Sequence, residues 1–408
     1  MLDANKNHAV VTEDGASSNY VKIERPYAML YGKGGQFDGN TYTDFFRFWI
    51  YHFVKLTSSY LFGIRYRKQS NERPAAGKVL FVTRDWGTET TLNREILRSL
   101  KEYCGSDSVE QLVLRRHEEM VSSITAALNE KKVTHVLLDT RVTITEANFL
   151  SVIMALYSSY KLSCLLKQRD VVALCGVTDW IAPGNRLLAE LITSSGGVAL
   201  SWASVGLHEV PKFRHYRRIG PLFIPTSLET LSELEQKSIE NLEYDIAIIG
   251  DNYEPRRSLI NNLLPNLKRD NIRYYLNTKK DLPYLEYLGV YKSAKIGLNT
   301  NWVAGQPDKY HFVGRNFEVM LTGSLLLTQK CYGLDLYVQE GEDYICFENE
   351  QDLLDKIRYY LANEEARSKI ALSGQKKVLE LLSTQFVWLE IDKSLYTFKY
   401  PKLPRTTT

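Results

Sequence analysis

Cysteine is scarce and carries no pattern. Cys104, Cys164, Cys175, Cys331 and Cys346 are odd in number and form no CxxC pair, so neither a disulfide framework nor a zinc site is signalled, and a reducing cytoplasm fits. An excess of one charge is also missing. The 51 Lys and Arg against 48 Asp and Glu leave a net charge of +3, without the positive field of a dedicated nucleic-acid binder. Nucleic acid is therefore not the expected partner. No window reaches the roughly 18 uninterrupted apolar residues of a membrane span. The first thirty residues scatter Asp3, Glu13 and Asp14 among polar residues and lack the charged start and apolar run of a signal peptide.

What is present is length and rhythm. At 408 residues the chain suits two domains of ordinary size, each with its own core. Near the N-terminus, Asp44 to Phe62 reads DFFRFWIYHFVKLTSSYLF. Wound as a helix, it gathers Asp44, Arg47, His52, Lys55, Ser58 and Ser59 into an arc of roughly 140°, into which Phe48, Tyr51 and Phe62 intrude. Such an amphipathic helix either packs on the first domain or lies in a membrane surface, with Arg47, Lys55 and the following RYRK facing anionic lipid. Peripheral contact at the inner face of a membrane is thus one expectation for an otherwise cytoplasmic protein.

After a polar linker, KQSNERPAAG, short β-branched runs alternate with helical patterns. The strands are expected at 78–83, 134–139, 170–176 and 196–202, and the helices at 91–104, 120–132, 146–162 and 185–195. A second series follows the polar connector 226–243, with strands at 244–250, 272–277, 294–299, 324–329 and 344–347. Helices lie between them at 256–269, 282–293 and 315–323, and further helical patterns run from 349 towards the end. Alternation of this kind means βαβ units and parallel sheets covered on both faces. The expected organisation is an N-terminal extension (1–77), a Rossmann-like domain (78–225), a connector (226–243), a second Rossmann-like domain (244–385) and a C-terminal helix and tail (386–408). The fold class is α/β, two such domains facing a cleft, and ligands in these sheets collect beyond the carboxyl ends of the strands.

One stretch of the second series, VGRNFEVMLTGSLLLTQ (313–329), carries more chemistry than a helix and a strand require. Its N-terminus favours a phosphate, and a carboxylate beside it, Glu318, is an acceptor suited to the two hydroxyls of a ribose. The plainer alternative makes Glu318 a helix-start glutamate with Arg315 as its partner. Gly323 lets the helix stop and the strand begin.

The segment from about Asp245 to Leu382 resembles the donor-binding domain of the GT-B glycosyltransferases of the group 1 type, and within them the group of the spore-maturation protein CgeB. The likeness rests, in order, on IIGDNYEPRR (248–257), SAKIGLN (293–299), GRNFEVMLTGSLLLT (314–328), EGEDYICF (340–347), QDLLDKIRYYL (351–361) and NEEARSKIALSGQKKV (363–378). The resemblance implies transfer of a sugar from a nucleotide sugar, most simply a UDP-sugar, to a hydroxyl acceptor such as a glycan or lipid-linked saccharide. It implies that Glu318 grips the donor ribose. Arg256, with Arg257 as its near alternative, would neutralise the donor diphosphate, and Gly250 would leave it room beside the backbone. Arg315 would order the loop from Asn299 to Gly314 or touch phosphate. Two positions depart from the pattern: Tyr310 stands where retaining relatives carry the first glutamate of an E-x7-E pair, and Ser383-Thr384 where the closer group has His-Thr. Retention of anomeric configuration is nevertheless the expectation.

A DxD pair, which holds a divalent ion against the diphosphate in many sugar transferases, is absent from the expected cleft loops. Arginines and a helix start would do that work, so neither a metal nor a cofactor beyond the donor is expected. In the first domain three strands end in an acid, Asp85, Asp139 and Asp179. Each could serve as general base on an acceptor hydroxyl or cap the next helix, and the resemblance favours Asp179. Gly87 would let the backbone approach the donor sugar, and His208 is either a further candidate base or, the plainer reading, a loop histidine. The competing functions are a non-catalytic binding or scaffold protein on the same fold, and a DNA-base glycosyltransferase using the basic cluster KFRHYRR (212–218).

Overall fold

The computed structural model describes residues 77–397 except 86–90, 117–118, 140–148, 170, 178–187, 190–191, 194–196, 203–217, 220–221, 238–242, 280–281, 304–305, 311 and 332. The aromatic helix expected at 44–62, and with it Gly87, Asp179 and His208, lies outside the described residues. Among those described, no helix is long and apolar enough to cross a membrane.

The first domain runs β1 (Lys78–Arg84), α1 (Thr91–Cys104), β2 (Val109–Leu114), α2 (Met120–Glu130), β3 (Val133–Asp139), α3 (Phe149–Gln168), β4 (Val172–Val177), β5 (Val198–Ser201) and β6 (Arg218–Ile219). All six strands are parallel, in the order β2-β1-β3-β4-β5-β6. Successive side chains of a strand point to opposite faces, and here both faces are covered. Leu80, Val82, Val136, Leu138 and Cys175 join the core with Met120 and Ile124 of α2. Phe81, Leu137, Leu174 and Leu200 join the core that takes in Ile96 and Leu100 of α1. The sequence rhythm passed over β2. Its residues VEQLVL place Glu110 and Gln111 inside the run, which an edge strand tolerates because one of its sides meets solvent.

The chain then enters the connector with α4 (Leu228–Gln236), capped by Ser227, whose hydroxyl accepts from the Thr230 N–H at 3.2 Å. It continues into the second domain through β7 (Tyr244–Ile249), α5 (Arg256–Arg269), β8 (Tyr274–Asn277), α6 (Tyr284–Lys292), β9 (Ala294–Asn299), the hairpin β10 (Trp302–Val303) and β11 (Gln306–Tyr310), and α7 (Gly314–Leu321). Then come β12 (Leu325–Gln329), β13 (Ile345–Phe347), α8 (Glu350–Ala362), α9 (Glu364–Leu381) and α10 (Thr384–Thr397). The five strands outside the hairpin form a parallel sheet in the order β13-β12-β9-β7-β8. Gly323, at φ +82°, ends α7 in a conformation that other residues adopt only with strain.

The connector is part of a tight junction between the domains. Glu95 of α1, fully buried, accepts hydrogen bonds from the Thr230 hydroxyl at 2.7 Å, the Ser227 N–H at 3.1 Å and the Ser227 hydroxyl at 3.3 Å. Arg94 and Arg98 of the same helix pair with Glu233 at 2.7 and 2.9 Å. The C-terminal helix α10 crosses back to the first domain, where Trp388 donates its indole N–H to the Ser99 hydroxyl at 3.0 Å. One hydrophobic core therefore runs through both domains, with Trp202, Phe223, Phe312, Phe317 and Trp388 among its members.

Candidate functional site

In the second sheet the chain leaves β7 for β8 on one side and returns to β9 on the other. A crevice therefore opens beyond the carboxyl end of β7. Gly250 sits there with φ +138°, and it has a steric as well as a conformational reason to be glycine. A Cβ at this position would lie 2.8 Å from Nη1 of Arg256 and 2.8 Å from both terminal nitrogens of Arg315. Two guanidinium groups thus converge on one bare stretch of backbone.

Arg256 opens α5 and is 1% exposed. Its Nη2 donates to the Ile249 carbonyl at 2.9 Å, while its buried Nε has no protein partner. Arg315, in the first turn of α7, donates from Nη1 to Oδ1 of Asn299 at 3.0 Å, and its Nε is likewise buried and unpartnered. The fully buried hydroxyl of Tyr291 is a third orphan beside them. Neither arginine forms an ion pair among the described residues. Burial, and after it the charge of Arg315, pushes the Arg256 guanidinium down to about 10. Burial works against the charge on Arg315 too, but the surrounding tyrosines and the Glu318 carboxylate outweigh it and hold that group above its ordinary value. Both stay cationic at neutral pH. Two buried like charges with spare donors are costly unless an anion rich in oxygen meets them.

Glu318 stands one turn further along α7, away from the first turn of that helix. It forms no ion pair with Arg315 among the described residues, which counts against the reading of the two as helix-start partners. Its Oε2 accepts instead from the Tyr287 hydroxyl of α6 at 2.7 Å. Burial raises the Glu318 carboxyl above the usual range, opposed by the Tyr287 bond and the Arg315 charge. The side chain lines a cavity between the domains with Trp202, Phe223, Ile224, Thr226 and Tyr284.

A set of amides that sequence reasoning missed holds these groups in place. Asn299, Asn301 and Asn316 are fully buried. Asn299 and Asn316 are bonded to each other, and both donate to Oδ1 of Asn301 at 3.1 Å. Asn301 in turn donates to the Thr328 hydroxyl at 3.0 Å. The cluster ties the end of β9 to the start of α7 and so anchors Arg315 through Asn299. The signal was an apolar strand that ends in NTN and is answered by an asparagine beside Arg315. Tyr287 and Tyr291 were hidden in the helical pattern of α6, four residues apart on one face.

Of the expected donor-side residues, the structure brings Gly250, Arg256, Arg315 and Glu318 to one region. Arg256 is buried rather than solvated. Arg257 is not part of the cluster. It points to solvent, donating to the Asn252 carbonyl at 2.8 Å with Glu254 at 3.7 Å, because adjacent helix positions face about 100° apart. In the first domain Asp85 is exposed, whereas Asp139 is 4% exposed at the carboxyl end of β3.

Residues 228–386 match a family described as glycosyl transferase-like. A comparison with curated proteins gives no match. Among solved structures, the chain is similar to HepE of Anabaena in complex with UDP, at TM-score 0.50 and 12% identity over 79% of this chain and 100% of that one. It is similar to the sucrose-phosphate synthase of Thermosynechococcus elongatus at TM-score 0.52 and 10% identity, over 78% and 98% of the two chains. An alpha-glucosyltransferase in complex with UDP-glucose and DNA gives TM-score 0.55 and 9% identity over 78% and 99%. At such identities the likeness is one of fold, and that fold is GT-B, two Rossmann-like domains across a cleft.

Proposed function

We propose that this protein, a GT-B fold whose second domain matches a glycosyl transferase-like family, is a glycosyltransferase that moves a sugar from a UDP-sugar to a hydroxyl acceptor on the first domain. The observation that carries the reading is the convergence of Arg256 and Arg315 on Gly250. When the bond between the anomeric carbon and the diphosphate oxygen breaks, negative charge builds on the leaving diphosphate. Preorganised cations in a site of low dielectric stabilise that charge strongly. The terminal nitrogens that converge on Gly250 would donate to phosphate oxygens, and Glu318 would accept from the ribose hydroxyls.

Two fixed side-chain cations at the leaving group are the basis for proposing catalysis without a divalent metal, and no cofactor beyond the donor is invoked. Asp179 is proposed as the general base on the acceptor hydroxyl, with Asp139, buried at the end of β3, as its rival. Retention follows from the resemblance to the group 1 type, and the anomeric configuration of the product, read by NMR, decides it. The first test is calorimetry of the full chain with UDP, UDP-glucose and uridine, together with release of labelled glucose from UDP-glucose. Tight binding of the diphosphates and weak binding of uridine are expected. A protein that binds and turns over no nucleoside diphosphate sugar refutes the proposal and leaves the scaffold reading. A DNA acceptor is the second reading, because an alpha-glucosyltransferase of the same fold is seen with DNA. Salt-dependent retention on a DNA column would favour it.

A further inference from the structure

The carboxylate of Glu318 receives one hydrogen bond among the described residues, and it comes from Tyr287 at 2.7 Å. The ring that delivers it is fixed by its neighbours on α6, stacked on Tyr284 with centroids 6.0 Å apart and edge-on to Tyr291 at 5.2 Å. The other groups whose charge or titration bears on Glu318 are Arg315 on its own helix, Tyr284 and Tyr291 on α6 and Glu95 on α1. Arg315 is turned away towards Asn299 and Gly250.

We propose that Tyr287 is a positioning residue for the donor: it occupies Oε2 of Glu318 and leaves Oε1 as the acceptor for the ribose hydroxyls, so that recognition of the nucleotide's sugar depends on this one hydrogen bond. The inference rests on the donor-site reading above and goes further by naming how the carboxylate is aimed. A hydroxyl given to a carboxylate stabilises its ionised form. Burial and the charge of Glu95 push the Glu318 carboxyl upward, and the Tyr287 bond with Arg315 opposes them. The Tyr287 hydroxyl, pushed well above its usual range first by burial and then by Glu318, stays protonated and remains a donor.

The experiment titrates UDP and 2′,3′-dideoxy-UDP into the full chain, comparing wild type, Tyr287→Phe, Glu318→Gln and the double variant across pH. Tyr287→Phe should weaken UDP binding about 10-fold, hardly change the dideoxy nucleotide, and add nothing on top of Glu318→Gln. The loss of UDP affinity towards acid pH should begin at higher pH in Tyr287→Phe than in wild type. Equal loss for both nucleotides, or full additivity with Glu318→Gln, overturns the inference. If Tyr287→Phe does not fold, Tyr287→His, which replaces the hydroxyl and keeps a ring, decides in its place: a loss of affinity larger for UDP than for the dideoxy nucleotide supports the inference, and equal losses overturn it. Failure of wild type to bind either nucleotide overturns the donor-site reading and this inference with it. UDP binding by wild type that Tyr287→Phe leaves unchanged overturns this inference alone.

Discussion

Replacing Arg256 with methionine removes a buried charge, keeps most of its apolar stem, and should separate stability from function. The relevant terminal nitrogens of Arg256 and Arg315 each lie 2.8 Å from the same point above Gly250, so twice that distance, 5.6 Å, is the most that can separate them. At an effective dielectric of about 20, two unit charges that far apart repel by about 3 kcal/mol. The descent of the Arg256 guanidinium from its ordinary value to about 10, driven first by burial and then by Arg315, corresponds to a similar cost, about 3 kcal/mol. The sign follows from its direction. A base with a lowered value disfavours its charged form in the fold, so the cost is present below about pH 10 and is relieved only above it. Methionine removes that cost but loses the bond from the charged Nη2 to the Ile249 carbonyl, worth about 1.5–3 kcal/mol. Without ligand the variant should therefore melt level with wild type or a few degrees higher, by scanning fluorimetry at neutral pH. Its affinity for UDP should fall about 10- to 100-fold, since charge-assisted hydrogen bonds contribute about 1.5–3 kcal/mol, while uridine binding is unchanged. A variant that melts several degrees lower and binds UDP as well as wild type would refute the reasoning and make Arg256 a structural residue.

Glu318→Gln should weaken UDP binding roughly 10- to 100-fold and leave the unliganded melting temperature level or slightly raised, because burial already disfavours the ionised carboxyl. The wild-type UDP affinity should drop as pH falls through that raised value, and the glutamine variant should lack this limb in calorimetry. Sugar transfer should survive EDTA, measured as labelled product, and a strict need for manganese or magnesium would overturn the role given to Arg256 and Arg315. Glu95→Ala, which strands the buried Ser227 N–H and Thr230 hydroxyl, should cost about 1–3 kcal/mol in denaturant unfolding.

The sequence by itself determined the two α/β units, the helix over 256–269 and the strand over 294–299, because the side that a local element buries is written in its own periodicity. It also singled out Gly250, Arg256, Arg315 and Glu318, since the motifs that hold them are contiguous. It did not separate Arg256 from Arg257, because the choice between burial and solvent depends on what lies across from the first turn of α5, and that is Arg315, far along the chain. Tyr287 looked like one apolar position among several until α6 was laid against α7. The pattern of the C-terminal helix does not name its packing partner, and Trp388 donates to Ser99 of the first domain. These outcomes rest on strand order, and strand order is settled by the packing of whole sheets. Only the tertiary structure brings the turn after β7, the end of β9 and the start of α7 to one place, where two arginines share one glycine.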